Sequence, residues 1–193
     1  MKRVERSDLL GLGPYEQIRD RFRQRIIALK ATRRLQLGEH MSLVFENHDT
    51  VLSQIQEMLR TERISDERAI AHELDTYNEL IPVEGELSAT LFIEYDDPEP
   101  RRRMLERFAS LRQQIRLRIG DTKGTARFAT HFGEEMDRLP AVNYLMFPIG
   151  VDAAATLRNR SLPAQLEISH PDYPLAIDLP LALREELARD LEA

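Results

Sequence analysis

Between positions 41 and 62 the hydrophobic period of this chain changes. Met41, Leu43 and Phe45 alternate with polar or smaller residues, as in a β-strand, whereas Val51, Ile55, Met58 and Leu59 recur at helical spacing. The switch falls on the polar run Glu46-Asn47-His48-Asp49. A strand must therefore give way to an amphipathic helix within a few residues, and the two elements must bury their apolar sides against a shared core. Asp49 or Thr50 is expected to cap the helix, because a short side-chain oxygen can accept from the free N–H groups of its first turn.

The rest of the chain is read around this joint. Residues 14–30 form a helix with Pro14 in its first turn and one apolar face through Tyr15, Ile18, Phe22, Ile26 and Leu29. Leu35 and Leu37 alternate and pair with 41–45 as a hairpin across Gly38. A helix starts at Ser65, with Ile70, Leu74 and Tyr77 inward, and stops near Asn78. Residues 89–95 form a strand. Residues 101–113 are helical, with Met104, Leu105, Phe108 and Leu111 buried. Residues 115–119 alternate as a half-buried strand that turns at Gly120–Gly124 and is answered by 125–130. The nearly all-apolar run 142–149 is a central strand, and 151–158 is a short helix. Residues 165–169 and 175–179 form a hairpin across the turn 170–174, and 181–191 is a closing helix.

This order predicts an α+β fold. Its N-terminal half is helix-rich with a small hairpin, and its C-terminal half is a mostly antiparallel sheet with packed helices. The 193 residues are enough for a single α+β domain over 1–193, with a sub-domain seam near 80–88. No apolar run reaches the length of a membrane span, and the charged N-terminus does not resemble a signal peptide, so a soluble, cytoplasmic protein without a membrane partner is expected. The absence of cysteine removes disulfides, thiolate metal sites and thiol nucleophiles.

The net charge of −6 is unevenly spread. Residues 1–34 hold ten Lys or Arg and four Asp or Glu, and the remainder is correspondingly acidic. Such a basic helix is a solvated face or a contact for an acidic partner. The lack of aromatic stacking residues or a base-reading motif argues against nucleic acid. Homo-oligomerisation is left open.

None of the five histidines sits in a zinc-helix motif, and there is no dinucleotide fingerprint, phosphate loop or nucleophile elbow. Chemistry, if present, concentrates in a polar set: Glu46, His48, Asp49, Gln54, Glu57, Arg60 and Asp75. A histidine between carboxylates suits a general base or a nitrogen and oxygen metal site, so Glu46, His48, Asp49 and Glu57 are the candidate metal ligands. The competing account has Asp49 as a helix cap, Glu46 and His48 at the surface, and Glu57 paired with Arg60 one turn on. A second constellation would join Gln54, Glu57, Arg60 and Glu62 to Asp75, Tyr77 and Asn78 on the next helix. The carboxylate dimetal pattern fails, since no Glu lies three residues before His72. The turn 170–174 and the lone His131 carry no further signal, and no cofactor can be named.

The segments LVFENHDT (43–50), QIQEMLRTERI (54–64), ELDTYNELIP (73–82), IEYDDPEPRRR (93–103), AVNYLMFPI (141–149) and SHPDYP (169–174) together resemble DUF3501, a bacterial domain-of-unknown-function family. The resemblance implies an arginine at the position of His48 in other members, which moves the weight towards Glu46, Asp49 and Glu57. It also implies partners among rubrerythrin-like proteins and Fe–S oxidoreductases of the heterodisulfide-reductase type. The functional expectation is an accessory or interaction protein of an oxidative-stress redox system. The alternative is a metal- or small-ligand-binding enzyme built on the cluster at 46–57.

Overall fold

A computed structural model describes residues 1–129 and 137–192. The chain is α+β, and among the described residues every strand pairing is antiparallel. The first helix, α1, spans Leu12–Arg33 and so runs past both expected ends. Its apolar face is only partly used: Tyr15 and Ile26 are buried, but Ile18 is 43% exposed. The stripe continues instead to Arg33, seven residues beyond Ile26, whose side chain is fully buried.

Two strands follow, β1 (Arg34–Gln36) and β2 (Met41–Phe45), with Leu35 opposite Leu43. The hairpin does not stand alone. β2 pairs with β3 (Glu86–Ile93), which pairs in turn with β7 (Val142–Pro148), and β6 (Arg127–Phe128) closes the sheet in the order β1-β2-β3-β7-β6. The expected division into a helical half and a sheet half is therefore crossed, because β2 supplies an interior strand of the larger sheet. Between β2 and β3 lie α2 (His48–Thr61) and α3 (Glu67–Tyr77). Asp66 caps α3 by accepting from the backbone N–H groups of Arg68 and Ala69.

The second sheet has the order β5-β4-β8-β9, from β4 (Ile115–Ile119), β5 (Thr122–Thr125), β8 (Ala164–His170) and β9 (Tyr173–Asp178). The return from β4 is tighter than its sequence suggests. Ile119 pairs with Thr122 across Gly120-Asp121, so the partner strand is 122–125. The chain then passes to the other sheet at Ala126, where Arg127 and Phe128 pair with Met146 and Leu145. Thr130 and His131 lie outside the described residues. At this crossing a Cβ on Gly124 would stand 2.5 Å from the Pro148 carbonyl oxygen, so only glycine lets β5 pass the end of β7.

Side-chain alternation sorts the large sheet into two faces. Leu43, Phe45, Ala89, Leu91, Leu145 and Phe147 share an apolar core with Ile115, Leu117, Leu166 and Ile168 of the small sheet. Helices α4 (Pro98–Arg107), α5 (Ala153–Arg158) and α6 (Leu181–Glu192) contribute Leu105, Leu157, Leu183 and Leu187 to it. Burying each leucine of this kind stabilises the fold by about 1.5–3 kcal/mol. The opposite face carries the buried, mostly polar set Ser42, Val44, Ser88 and Thr90. Beyond it a second cluster forms from Val51, Ile55, Leu59, Ile70, Leu74 and Tyr77, with Val4 and Leu9 of the N-terminal segment. Ile81 belongs to this cluster and Leu87 to the first, so the chain passes from one core to the other within 81–87. Among the described residues, no helix is long and apolar enough to cross a membrane.

Candidate functional site

The joint between β2 and α2 is built by reciprocal capping. The cap is Asn47, and neither Asp49 nor Thr50. The Asn47 side-chain oxygen accepts from Thr50 N–H at 3.0 Å, and Asn47 N–H donates to the Thr50 hydroxyl at 2.9 Å. Asn47 takes this role because it is the last residue in extended conformation, which places the helix start at His48. Asp49 lies instead in the first turn, with its carboxylate 3.6 Å from the Arg25 guanidinium on α1. The His48 ring sits between two acids, Nδ1 3.5 Å from Asp49 and Nε2 3.6 Å from Asp8. Asp8 is held below the usual carboxylate range, chiefly by the hydrogen bond it accepts from Glu5 N–H.

Glu46 is not at the surface. It is 3% exposed and points towards the polar face of the large sheet, where one carboxylate oxygen accepts from the Thr90 hydroxyl at 2.5 Å. The other oxygen has no hydrogen-bond partner. On the same face, the Tyr144 hydroxyl accepts from Gln54 Nε2 at 3.1 Å. Burial raises the Tyr144 phenol, Gln54 works against this, and the nearby charge of Glu46 adds to it.

Glu57 and Arg60 do not pair with each other or with α3; both reach across to α1. Tyr15 donates to Glu57 at 2.6 Å, and Arg19 grips the same carboxylate with two N–H groups, each at 2.9 Å. Burial pushes the Glu57 carboxyl up, but the bonds from Arg19 and Tyr15 outweigh it and hold the group below its usual range. Arg60 donates twice to Glu16, at 2.7 and 3.1 Å. Asp75 is exposed on α3, and Asn78 is turned to the N-terminus, exchanging two hydrogen bonds with the Val4 backbone. Gln56 does the same with Leu10. These two amide side chains act as short pieces of backbone ladder that tie residues 4–10 to α2 and α3.

The four candidate metal ligands are thus divided among three environments: Glu46 with Thr90, His48 and Asp49 with Asp8 and Arg25, and Glu57 with Tyr15 and Arg19. Among the described residues, no group of three or more His, Asp or Glu side chains comes together to hold a metal ion. Of the expected network between α2 and α3, Gln54 keeps a side-chain hydrogen bond with Tyr77, while Glu57 and Arg60 are drawn to α1, which presents Tyr15, Glu16 and Arg19 on one side of its first two turns.

Two buried arginines went unnoticed in the sequence. Arg33 donates to the carbonyls of Phe45 and Glu46 and is ion-paired with Asp190 of α6. Arg184 turns its guanidinium onto the carbonyls of Thr156, Leu157, Asn159 and Leu162, gathering the C-terminal end of α5. The only signal for Arg33 is its place on the apolar stripe of α1. The turn 170–174 is also structural. His170 is buried, its Nδ1 accepts from Asp172 N–H, and its Nε2–H therefore donates to the Arg107 carbonyl. Tyr173 donates to the Leu37 carbonyl and meets Gly38 so closely that a Cβ there would lie 2.5 Å from its hydroxyl. The β8–β9 turn thereby seats the β1–β2 hairpin.

The family model described as "Protein of unknown function (DUF3501)" matches residues 3–191. The chain belongs to the DUF3501 family. A crystal structure of a novel protein of unknown function from Burkholderia pseudomallei is similar to it at 34% sequence identity, with a TM-score of 0.91, covering 98% of this chain and 100% of that one. No curated protein matches the chain. Segments 43–50, 54–64, 73–82, 93–103, 141–149 and 169–174 lie on the capped joint, the α2–α3 pair, the passage from the end of β3 into α4, β7 and the β8–β9 turn.

Proposed function

We propose that this DUF3501 protein is an accessory, partner-binding component of a cytoplasmic oxidative-stress redox system. The observation that carries the reading is how its polar residues are used. Glu57 and Arg60 are taken up in pairs that fix α2 against α1. The exposed surface of α1 remains basic and partly apolar, with Ile18 and Ile27 exposed on opposite sides of the helix. Such a surface suits association better than turnover. The redox setting rests on the family resemblance, which points to rubrerythrin-like proteins and Fe–S oxidoreductases. A chain without cysteine would bring no thiol of its own to that chemistry.

The test is co-purification under anaerobic conditions from cells holding the tagged protein at native abundance. Recovery of a rubrerythrin-like or Fe–S partner is expected, and recovery of neither overturns the reading.

A second reading is favoured by Glu46 alone. A buried carboxylate with one unpartnered oxygen, beside Thr90 and Tyr144, is what a ligand- or metal-binding enzyme would hold in reserve. Metal analysis of protein purified without an affinity tag decides it. Substoichiometric metal unchanged by Glu46→Ala removes this reading.

A further inference from the structure

We propose that the flank of α1 formed by Ile18, Arg21, Phe22 and Arg25 docks a short acidic segment of a partner protein, a proposal that rests on the partner-binding reading above. The spacing i, i+3, i+4, i+7 puts these four side chains on one side of the helix. They line a surface hollow of about 290 Å³. Its apolar floor is held in place: the Phe22 ring meets Tyr15 edge-on at 5.7 Å, and the Arg25 guanidinium lies 5.4 Å from the Phe22 ring centroid.

The charges of this flank are under-used. Arg25 has one acidic neighbour, Asp49, at 3.6 Å, and both side chains are well exposed, so the pair is weak and exchangeable. Arg21 pairs with no carboxylate among the described residues, in a chain whose net charge is −6. The fitting occupant therefore carries two carboxylates on either side of an apolar side chain. Arg21 and Arg25 are one helical turn apart, with Cβ atoms about 6 Å from each other. That matches carboxylates at i and i+4 of a helix, or at i and i+2 of an extended segment about 7 Å long. A nucleic-acid backbone fits less well. Asp20 and Asp49 neighbour the two arginines in the chain or in space, and the hollow is lined by a single aromatic ring, which gives no platform for stacking successive bases.

The experiment titrates the isotopically labelled full chain with an end-blocked peptide of about twelve residues, in which Asp and Glu flank leucines, followed by amide chemical shifts. Shifts confined to residues 18–25 and their α2 neighbours are expected, with affinity falling as NaCl rises from about 0.05 to about 0.3 M. Arg21→Glu alone, and together with Arg25→Glu, should weaken binding by about tenfold or more while leaving the dispersed spectrum of a folded chain. A peptide of the same charge without leucine should bind more weakly. The proposal falls if the shifts map elsewhere, if the double variant binds equally, if a single-stranded oligonucleotide moves the same resonances at lower concentration, or if the flank is covered by a second copy of this chain in the absence of peptide. The two ideas fail separately. If the anaerobic partner is recovered equally with the double variant, the docking face is wrong and the reading stands. If the peptide docks on α1 but no redox partner is recovered, the face stands and the reading falls.

Discussion

Arg33, in the last turn of α1, is ion-paired with Asp190, near the end of α6 and 157 residues away in the chain. The same guanidinium donates to the carbonyls of Phe45 and Glu46, and Glu186 lies 3.5 Å from it. One fully buried cation therefore joins the first helix, the end of β2 and the last helix.

Arg33→Met should be strongly destabilising, by about 3–5 kcal/mol in urea unfolding, because it strands buried acceptors and a buried acid. Burial already holds the Asp190 carboxyl above its usual range, against the pull of Arg33. An acid whose folded value is raised contributes stability that is present below its unfolded value and lost as pH rises through the folded value. The deficit of Arg33→Met relative to the parent should therefore shrink as pH falls through the carboxylate range. Adding Asp190→Leu should recover part of the loss at neutral pH.

The capping of α2 separates Asn47 from Asp49. Asn47→Ala should cost about 1 kcal/mol, since it removes the side-chain oxygen that accepts from Thr50 N–H and leaves only the bond from Asn47 N–H to the Thr50 hydroxyl. Asp49→Ala removes only an exposed ion pair and a first-turn charge, and should cost about 0.5 kcal/mol or less. Equal losses in chemical denaturation would contradict the assignment of Asn47 as the cap.

Glu57 gives the α1–α2 contact a pH dependence. Its folded value is depressed, so its contribution is complete above the ordinary glutamate range and is lost as pH falls through the folded value. Glu57→Gln should cost about 1 kcal/mol at neutral pH and should flatten the acid limb of the stability profile relative to the parent. Thermal midpoints between pH 7 and pH 3, roughly the span over which carboxylates titrate, read this directly.

Gly124 and Gly38 test two close approaches of different stiffness. A Cβ on Gly124 strikes a backbone oxygen between the sheets, so Gly124→Ala should cost about 1–3 kcal/mol or prevent folding. At Gly38 the obstacle is the end of the Tyr173 side chain, which can move, but the residue sits at φ +74°. Gly38→Ala should therefore cost about 1 kcal/mol for the left-handed backbone, plus the strained Tyr173 bond to Leu37. The test is whether the Gly124 variant is the less stable of the two in a melting comparison.

Much of the fold is legible in local pattern. The stripe Ile70, Leu74, Tyr77 and the alternation Ile115, Leu117, Ile119 identify α3 and β4 because each element buries one side, and burial imposes its period on the residues. The candidate site is less legible. Glu46, His48, Asp49, Glu57 and Arg60 stand out as polar residues near one joint, but nothing local says which of them share an environment. Glu46 and Asp49 are three residues apart and face different partners, Thr90 and Arg25, because a strand ends and a helix begins between them.

By itself the sequence determined the element types, the hairpins at 35–45 and 165–179, the unequal charge of its two parts and the lack of thiol chemistry. Those properties depend on residue identity and on periods of two or three to four, which neighbours along the chain express. Only the tertiary structure decided that Arg33 and Arg184 are buried, that Glu57 answers to Tyr15 and Arg19, and that β2 lies inside the larger sheet. An arginine bound to backbone carbonyls has the same letters around it as one in water. The difference lies in partners brought from distant segments by the packing of the two cores.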